Sequence, residues 1–444
     1  MHSMNETILL LDFGASRIKA ALYDIENKVF LCEYDEITPA PVFGTDGSVE
    51  IPANTYRIAL FTLLKNFEKN FHRPKEIYLA TEMGGFLLAD ANGKPITQYI
   101  SWRDERAERS GVLSRLKSND QEFRKITGMR LKPGIPFATL AYFAEKIPQR
   151  SYFLSLPEWI LLSCGTHLRA VDETIAAASG LYDIEKRCWS EFLLDQLRTL
   201  GVPEFKRNLI EKDFSPIGYL PLWGGNVPVF GGIGDLQAAM LGAEINDQVL
   251  CINLGTGSQV NAILSCDKIN ARAEFRPFFN ERRLVTVSHI PAGRALRVFE
   301  QFFSAISHDP NTFWKIVENL SVEEVLKAPI QLDLNLFATA WHWNGKGGKI
   351  FGITETNFTP RHIIASIVRS FTEQYSEAVS IVDPDRRIPM VRLAGGLARR
   401  IPILHDVFAS ILGLKVEVPS TIEETLLGLA RLSVLRRFEA NSRM

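Results

Sequence analysis

What this sequence lacks narrows its chemistry first. Its five cysteines, Cys32, Cys164, Cys188, Cys251 and Cys266, show no Cys-x-x-Cys spacing in 444 residues, so neither a disulfide framework nor a cysteine-bound zinc is expected. The eight histidines are just as dispersed, without a His-Glu-x-x-His pattern, which argues against a histidine-bound metal. Excess charge is missing too: 50 basic residues face 51 acidic ones, a formal net charge of -1. No global field then draws the protein to nucleic acid or to an anionic membrane. The apolar run near the N-terminus, Ile8 to Leu11, is too short for a signal sequence and runs straight into Asp12. Reduced thiols, a cytoplasmic location and no nucleic-acid or membrane partner are the expectations.

What is present reads as a soluble α/β protein, with hydrophobic residues at 46% and charged residues at 23%. The length predicts two domains of roughly 200 residues each. Helical spacing over Tyr56 to Phe71, Ile363 to Ser380 and Pro402 to Leu412 alternates with strand-like runs at Ile77 to Ala80, Val227 to Phe230 and Val391 to Leu393. The cadence of strand, turn and strand around Asp12 returns at Val249 to Leu264. In that alignment Asp12 falls on Asn253 and Gly14 on Gly255. A repeat at half the chain length suggests two homologous lobes. The boundary is expected between the glycine-rich segments, giving domains 1–240 and 241–444.

Five segments carry candidate chemistry. Asp12-Phe13-Gly14-Ala15-Ser16-Arg17-Ile18-Lys19 ends an apolar strand with a carboxylate, a glycine turn, a hydroxyl and two cations. Backbone N–H groups, Ser16, Arg17 and Lys19 suit a polyphosphate, and Asp12 suits a hydrated Mg²⁺; an ordinary hairpin with a basic tip fits as well. Gly255-Thr256-Gly257-Ser258 offers a second such loop without charge, and Gly395-Gly396-Leu397 a third strand-to-helix turn where backbone can approach a ribose or ring. Around Trp102, the run Ser101-Trp102-Arg103-Asp104-Glu105-Arg106 follows Glu82-Met83-Gly84-Gly85. An aromatic among fixed charges suits a sugar, although a charged helix start anchored by one Trp is the plainer local reading. Finally, Gly231-Gly232-Ile233-Gly234-Asp235-Leu236-Gln237 places a carboxylate at a helix start. Asp235 fits both a helix cap and a base that accepts a hydroxyl proton.

Taken in chain order, the segments resemble the FGGY carbohydrate kinases of the actin-like ATPase superfamily, over nearly the whole chain. The first loop is similar to the family's D-x-G-T-[TS]-x-x-[KR] element, Glu82 to Gly85 to Q-M-H-G, Trp102 to Arg106 to W-x-D-x-R, and Gly231 to Ala239 to G-G-x-x-D-x-x-A. Gly234 to Gln237 with Asn253 to Val260, Arg276-Pro277-Phe278 and Gly293-Arg294-Ala295 is most similar to sedoheptulokinase-type and xylulokinase-type members. The resemblance implies an α/β fold of two actin-like (ribonuclease H-like) lobes, each a mixed sheet flanked by helices, with a nucleotide cleft between them. It implies ATP- and Mg²⁺-dependent phosphorylation of a ketose or polyol hydroxyl, with a heptulose such as sedoheptulose or a pentulose as acceptor, by a monomer or homodimer. Asp235 would be the catalytic base and, with Asp12, a metal ligand. Glu82, Met83, Gly84, Trp102, Arg103, Asp104 and Gln237 would meet the sugar. Gly14, Ser16, Arg17, Lys19, Gly255, Thr256, Gly257, Ser258, Gly395, Gly396, Leu397 and Arg400 would meet ATP. Glu82 and Gly84 stand where the family commonly has Gln and His, Ala15 where it has a hydroxyl, and Arg399 and Arg400 where small polar residues are usual. A non-catalytic nucleotide or sugar sensor on the same scaffold is the alternative from another class.

Overall fold

A computed structural model describes residues 6–166, 170–211, 215–255, 258–263, 272–337, 340–343, 345–419 and 423–442. The chain forms two compact units. The first comprises Met1–Gly242, Arg276–Phe278 and Glu423–Met444, and the second Ala243–Phe275 and Phe279–Ile422. A single cut near residue 240 therefore leaves out two returns of the chain to the first unit.

In the first unit, β1 (Thr7–Phe13), β2 (Arg17–Asp24), β3 (Val29–Ile37), β4 (Glu76–Thr81), β5 (Gly218–Leu222) and β6 (Gly225–Gly234) form one sheet in the order β5-β6-β4-β1-β2-β3. The three strands β6, β4 and β1 are parallel, while β2 and β3 are antiparallel. Ile8, Leu9, Leu10 and Leu11 are all at most 1% exposed, as a strand covered on both faces requires. Along β3 the burial alternates, as an outer strand allows. Helix α1 (Ala53–Asn70) buries Tyr56, Leu60, Leu63, Leu64 and Phe67, one stripe at helical spacing. That stripe shares a core with Leu9, Leu11 and Phe13. A smaller sheet of Val42–Phe43, Val49–Ile51, Tyr99–Ile100, Phe86–Ala89 and Tyr152–Ser155 carries the loop that holds Trp102. Two further helices, α2 (Glu173–Ala178) and α3 (Asp235–Gly242), flank the end of β6. A helix over Glu424–Ser442 returns to this unit and packs against α3, β1 and β4. Its buried Leu426, Leu429, Ala430 and Ser433 recur at i, i+3, i+4 and i+7.

The second unit repeats this plan. Its sheet contains β7 (Val249–Asn253), β8 (Ser258–Ile263), β9 (Arg283–Ile290), β10 (Met390–Ala394) and β11 (Lys415–Glu417), running β9-β8-β7-β10-β11. Strand β7 lies antiparallel to β8 and parallel to β10, as β1 lies to β2 and β4. Asp12 stands opposite Lys19 and Ala80; Asn253 stands opposite Gln259 and Ala394. The duplication suggested by the sequence is thus present residue for residue at the strand ends. Around the sheet lie α4 (Gly293–Ser307), α5 (Thr312–Glu318), α6 (Pro360–Val382) and α7 (Gly396–Arg400). Thr359 caps α6 by accepting the His362 N–H, and Pro360 occupies its first turn. Among the described residues no helix is long and apolar enough to cross a membrane.

Candidate active site

Asp12 lies one residue from the end of β1 and is 6% exposed. Burial pushes its carboxyl up to about 8; the charges of Asp235 and Glu423 add to this, while Lys19 and Thr425 favour the ionised form. One of its oxygens is buried without a hydrogen-bond partner. Beyond it the chain turns at Gly14, whose N–H donates to the Arg17 carbonyl at 3.0 Å. Thr38 fixes this loop: its hydroxyl donates to the Gly14 carbonyl at 2.7 Å and its N–H to the Ser16 carbonyl at 3.2 Å. Ser16 is exposed at the tip. Arg17 pairs with Asp35 on β3, where the alternation of an antiparallel ladder brings the two side chains to one face. Lys19 instead donates to Glu423 at 2.5 Å.

The glycines before Asp235 have a specific task. Pairing of β6 with β4 slips between Gly231 and Ile233, so Gly232 is the extra residue of a β-bulge. Gly231 and Gly232 have φ of 80° and 63°, and a Cβ on Gly231 would lie 2.9 Å from the Leu79 carbonyl oxygen. Only glycine fits such a bend at low cost. It delivers Asp235 to the first position of α3, where its carboxylate accepts the Leu236 N–H at 2.7 Å. The Gly234 N–H donates to the Thr174 hydroxyl at 2.9 Å, tying the turn to α2. Burial raises the Asp235 carboxyl to about 7, helped by the Glu82 charge and opposed by the Leu236 N–H and Arg276. Arg276 belongs to the three-residue strip that rejoins this unit. Gln237 is 0% exposed and donates to the Pro277 carbonyl at 3.2 Å, so it holds that strip.

Glu82 follows β4 directly, is 3% exposed and accepts from the Tyr56 hydroxyl at 3.2 Å and from the Trp102 indole at 3.1 Å. Burial raises its carboxyl, against the donors around it. Trp102 remains 38% exposed. Its backbone is closely covered: a Cβ on Gly134, at φ 78°, would lie 1.7 Å from the Trp102 carbonyl oxygen. Gly84, also at φ 78°, stands against the Trp102 side chain, while Met83 lies against Gly234. Arg103 lies 5.9 Å from the Trp102 ring centre. Asp104 has a different task from the expected sugar contact. It is 0% exposed, and its oxygens accept the N–H groups of Val49 and Arg106, both at 3.0 Å, and the Arg106 guanidinium. Those bonds brace the loop that presents Trp102.

In the second unit the strand ends are stapled together. Leu254 N–H donates to the Ala394 carbonyl at 2.8 Å, Leu397 N–H to the Leu254 carbonyl at 3.2 Å, and Gly293 N–H to the Gly255 carbonyl at 3.2 Å. Gly395, at φ 89°, sits where a Cβ would lie 2.6 Å from the Leu254 carbonyl oxygen; Gly396 beside it faces open space. Ser258 donates to the Asn253 carbonyl. Thr256 and Gly257 lie outside the described residues. Arg400, at the end of α7, rests 3.6 Å above the Trp314 ring, and the Trp314 indole donates to Glu300 at 2.6 Å. Gly255, Gly395, Gly396 and Leu397 thus meet at one end of this sheet, and Asp12, Asp235, Glu82 and Trp102 lie together in the first unit.

The sequence reading missed Glu423, Thr425, Arg276, Tyr56 and Thr174. Each is distant in sequence from the motif it serves, and although Arg276 and Tyr56 lay in segments singled out for other reasons, none was given a role at the site.

Residues 7–242 match the N-terminal domain of the FGGY family of carbohydrate kinases. Glycerol kinase from Desulforamulus reducens is 23% identical across 96% of this chain and 89% of its own. Glycerol kinase from Trichodesmium erythraeum is 25% identical across 95% and 88%. Among solved structures, a ligand-bound xylulose kinase from Lactobacillus acidophilus superposes with a TM-score of 0.83 at 17% identity, covering 96% of this chain and 89% of that one. Plasmodium falciparum glycerol kinase with ADP gives 0.82 at 18% identity, covering 98% and 90%. The expected α/β, two-lobed actin-like fold is the fold found.

Proposed function

The chain belongs to the FGGY family of carbohydrate kinases, phosphotransferases that act on an alcohol group, and on that premise we propose that it transfers the γ-phosphoryl group of ATP to a hydroxyl of a ketose or polyol. Asp12 and Asp235 carry this reading: two carboxyls at the ends of parallel-sheet strands, each raised by burial, one as a cation ligand and one as a base. In the transfer, Asp235 takes the proton of the attacking hydroxyl, whose oxygen bonds to the γ-phosphorus as the bond to the bridging oxygen breaks and its electron pair leaves with ADP. A carboxyl near 7 is well placed to accept that proton at neutral pH.

Mg²⁺ fits the donor set. The unpartnered Asp12 oxygen beside a second acidic group suits a hard cation that keeps most of its waters and takes the rest of its ligands from phosphate. Among the described residues there is no cluster of three or more His, Cys, Asp or Glu that could hold a metal, so the protein would supply Asp12 and at most Asp235. When bound, such a cation neutralises charge on the transferring phosphate. Ser16, Lys19 and the Gly14 turn would meet phosphate oxygens, and the Gly255 and Gly395–Gly396 turns would offer backbone to a nucleotide.

Trp102, held by Glu82, offers an aromatic face to a sugar or polyol. Within the ketose class, a heptulose such as sedoheptulose and the pentulose xylulose are the acceptors to try first, with glycerol as the short polyol. Purified protein incubated with ATP, Mg²⁺ and this panel should release ADP and form one sugar phosphate. Nucleotide and sugar binding without any sugar phosphate would replace the kinase reading with a sensor.

A further inference from the structure

The helix Glu424–Ser442 does more than close the core of the first unit. Its backbone lies close against that of α3. A Cβ on Gly242 would lie 1.8 Å from the Glu424 carbonyl oxygen, and one on Gly428 would lie 1.8 Å from the Ala238 carbonyl oxygen. Glycine at both crossing points makes that approach possible. Arg431 then donates to the last carbonyls of α3, at 3.0 Å to Leu241 and 2.5 Å to Gly242. One member of this clasped pair begins with Asp235, and the other is entered through Glu423.

That placement sets the start of the returning helix beside Asp12. Glu423 accepts from the Lys19 ammonium at 2.5 Å, with side-chain exposures of 20% and 27%. Lys19 is the residue directly opposite Asp12 across the β1–β2 ladder. A lysine left alone at a strand end samples many rotamers, and a fixed acidic partner removes most of that freedom before any ligand arrives.

We propose that Glu423 is a positioning residue of the phosphoryl-transfer site, fixing the Lys19 ammonium. This rests on the reading of Lys19 as a phosphate ligand. Loss of a merely structural ion pair would lower the melting temperature and leave the kinetics of the remaining folded enzyme unchanged.

The test uses the full-length protein and a double-mutant cycle. Lys19→Met and Glu423→Ala are each expected to raise KM for ATP, by about tenfold and about fivefold, with KM for sugar within about twofold. The double variant should be no worse than Lys19→Met, because Glu423 acts through Lys19. Glu423→Gln, which keeps an acceptor for the ammonium, should restore most of the affinity. Additive effects of Lys19→Met and Glu423→Ala would overturn the proposal. If wild-type protein phosphorylates no acceptor, the kinase reading fails separately. Calorimetric titration with Mg·ADP then decides the proposal: non-additive weakening by Lys19→Met and Glu423→Ala upholds it, and unchanged binding overturns it.

Discussion

Asp12 and Asn253 stand at matching strand ends in the two units, and so do their partners across the ladder, Lys19 and Gln259. One unit has an acid facing a base; the other has two neutral amides. The same contrast extends outward. In the first unit burial pushes Asp12 up to about 8, and Asp172 and Asp235 up to about 7. In the second unit, the surface carboxyls Asp309, Glu324 and Glu417 are instead held down by Lys315, Arg361 and Lys415. A duplicated framework has kept its strand order while its chemistry has diverged. On the proposed reading, proton and cation handling would fall to one copy, while the other offers glycine turns, which can approach phosphate without adding a like charge.

Breaking the acidic half should have the largest effect. Asp235→Asn is expected to lower kcat by about 10³-fold while the affinity for ADP stays within about twofold; single-turnover assays beside calorimetry would check this, and near-normal turnover would remove Asp235 from the role of base. Making the second unit resemble the first comes next. Asn253→Asp would set a carboxylate beside the Gly395 turn, since the Asn253 side-chain oxygen lies near it, and KM for ATP should rise by about tenfold with kcat little changed. Arg400→Ala should raise KM for ATP by about threefold, because the outer face of a guanidinium stacked on Trp314 is available to a purine; an unchanged ratio of ATP to UTP use would exclude that stacking.

The smallest effect is on stability. Asp12, Asp172 and Asp235 have folded pKa values above those of the unfolded chain, so the folded state binds more protons between about pH 4 and 8. Their contribution to stability is fully present below the unfolded values and is lost as pH rises through 7 to 8. Thermal scans of ligand-free protein should show the melting temperature rising by a few degrees, on the order of 2–4 °C, from pH 8.5 to 6. Asp172→Asn should flatten that dependence. Glu324, held at about 2 by Arg361, works with the opposite sign and only in acid, losing its contribution as pH falls from its unfolded value toward 2.

Much of this contrast was legible in the sequence, because strand ends, glycine turns and helical spacing are local signals. Tyr56 to Phe71 and Ile363 to Ser380 fall within a few residues of α1 and α6, and the alignment of Asp12 with Asn253 survives in the registers. Direction was less legible. Asp104 sits in a motif that suits a sugar, yet its carboxylate turns inward to Val49 and Arg106, since a buried arginine close by needs a charge partner. Arg17 looks like a phosphate ligand until β3 brings Asp35 alongside. The pair Lys19 and Glu423 is separated by 404 positions. Only the packing of glycine against backbone brings it together, and no local pattern announces that.

The helix Glu424–Ser442 also sets an order of events. A ribosome makes the first 242 residues, then the whole of the second unit, before it makes the segment that covers β1 and β4 and brings Glu423 to Lys19. While the second unit is being synthesised, the apolar surface awaiting Leu426, Leu429 and Leu432 stays uncovered on the nascent chain. The first unit therefore gains its closing helix and the Glu423 partner of Lys19 in the same step of synthesis.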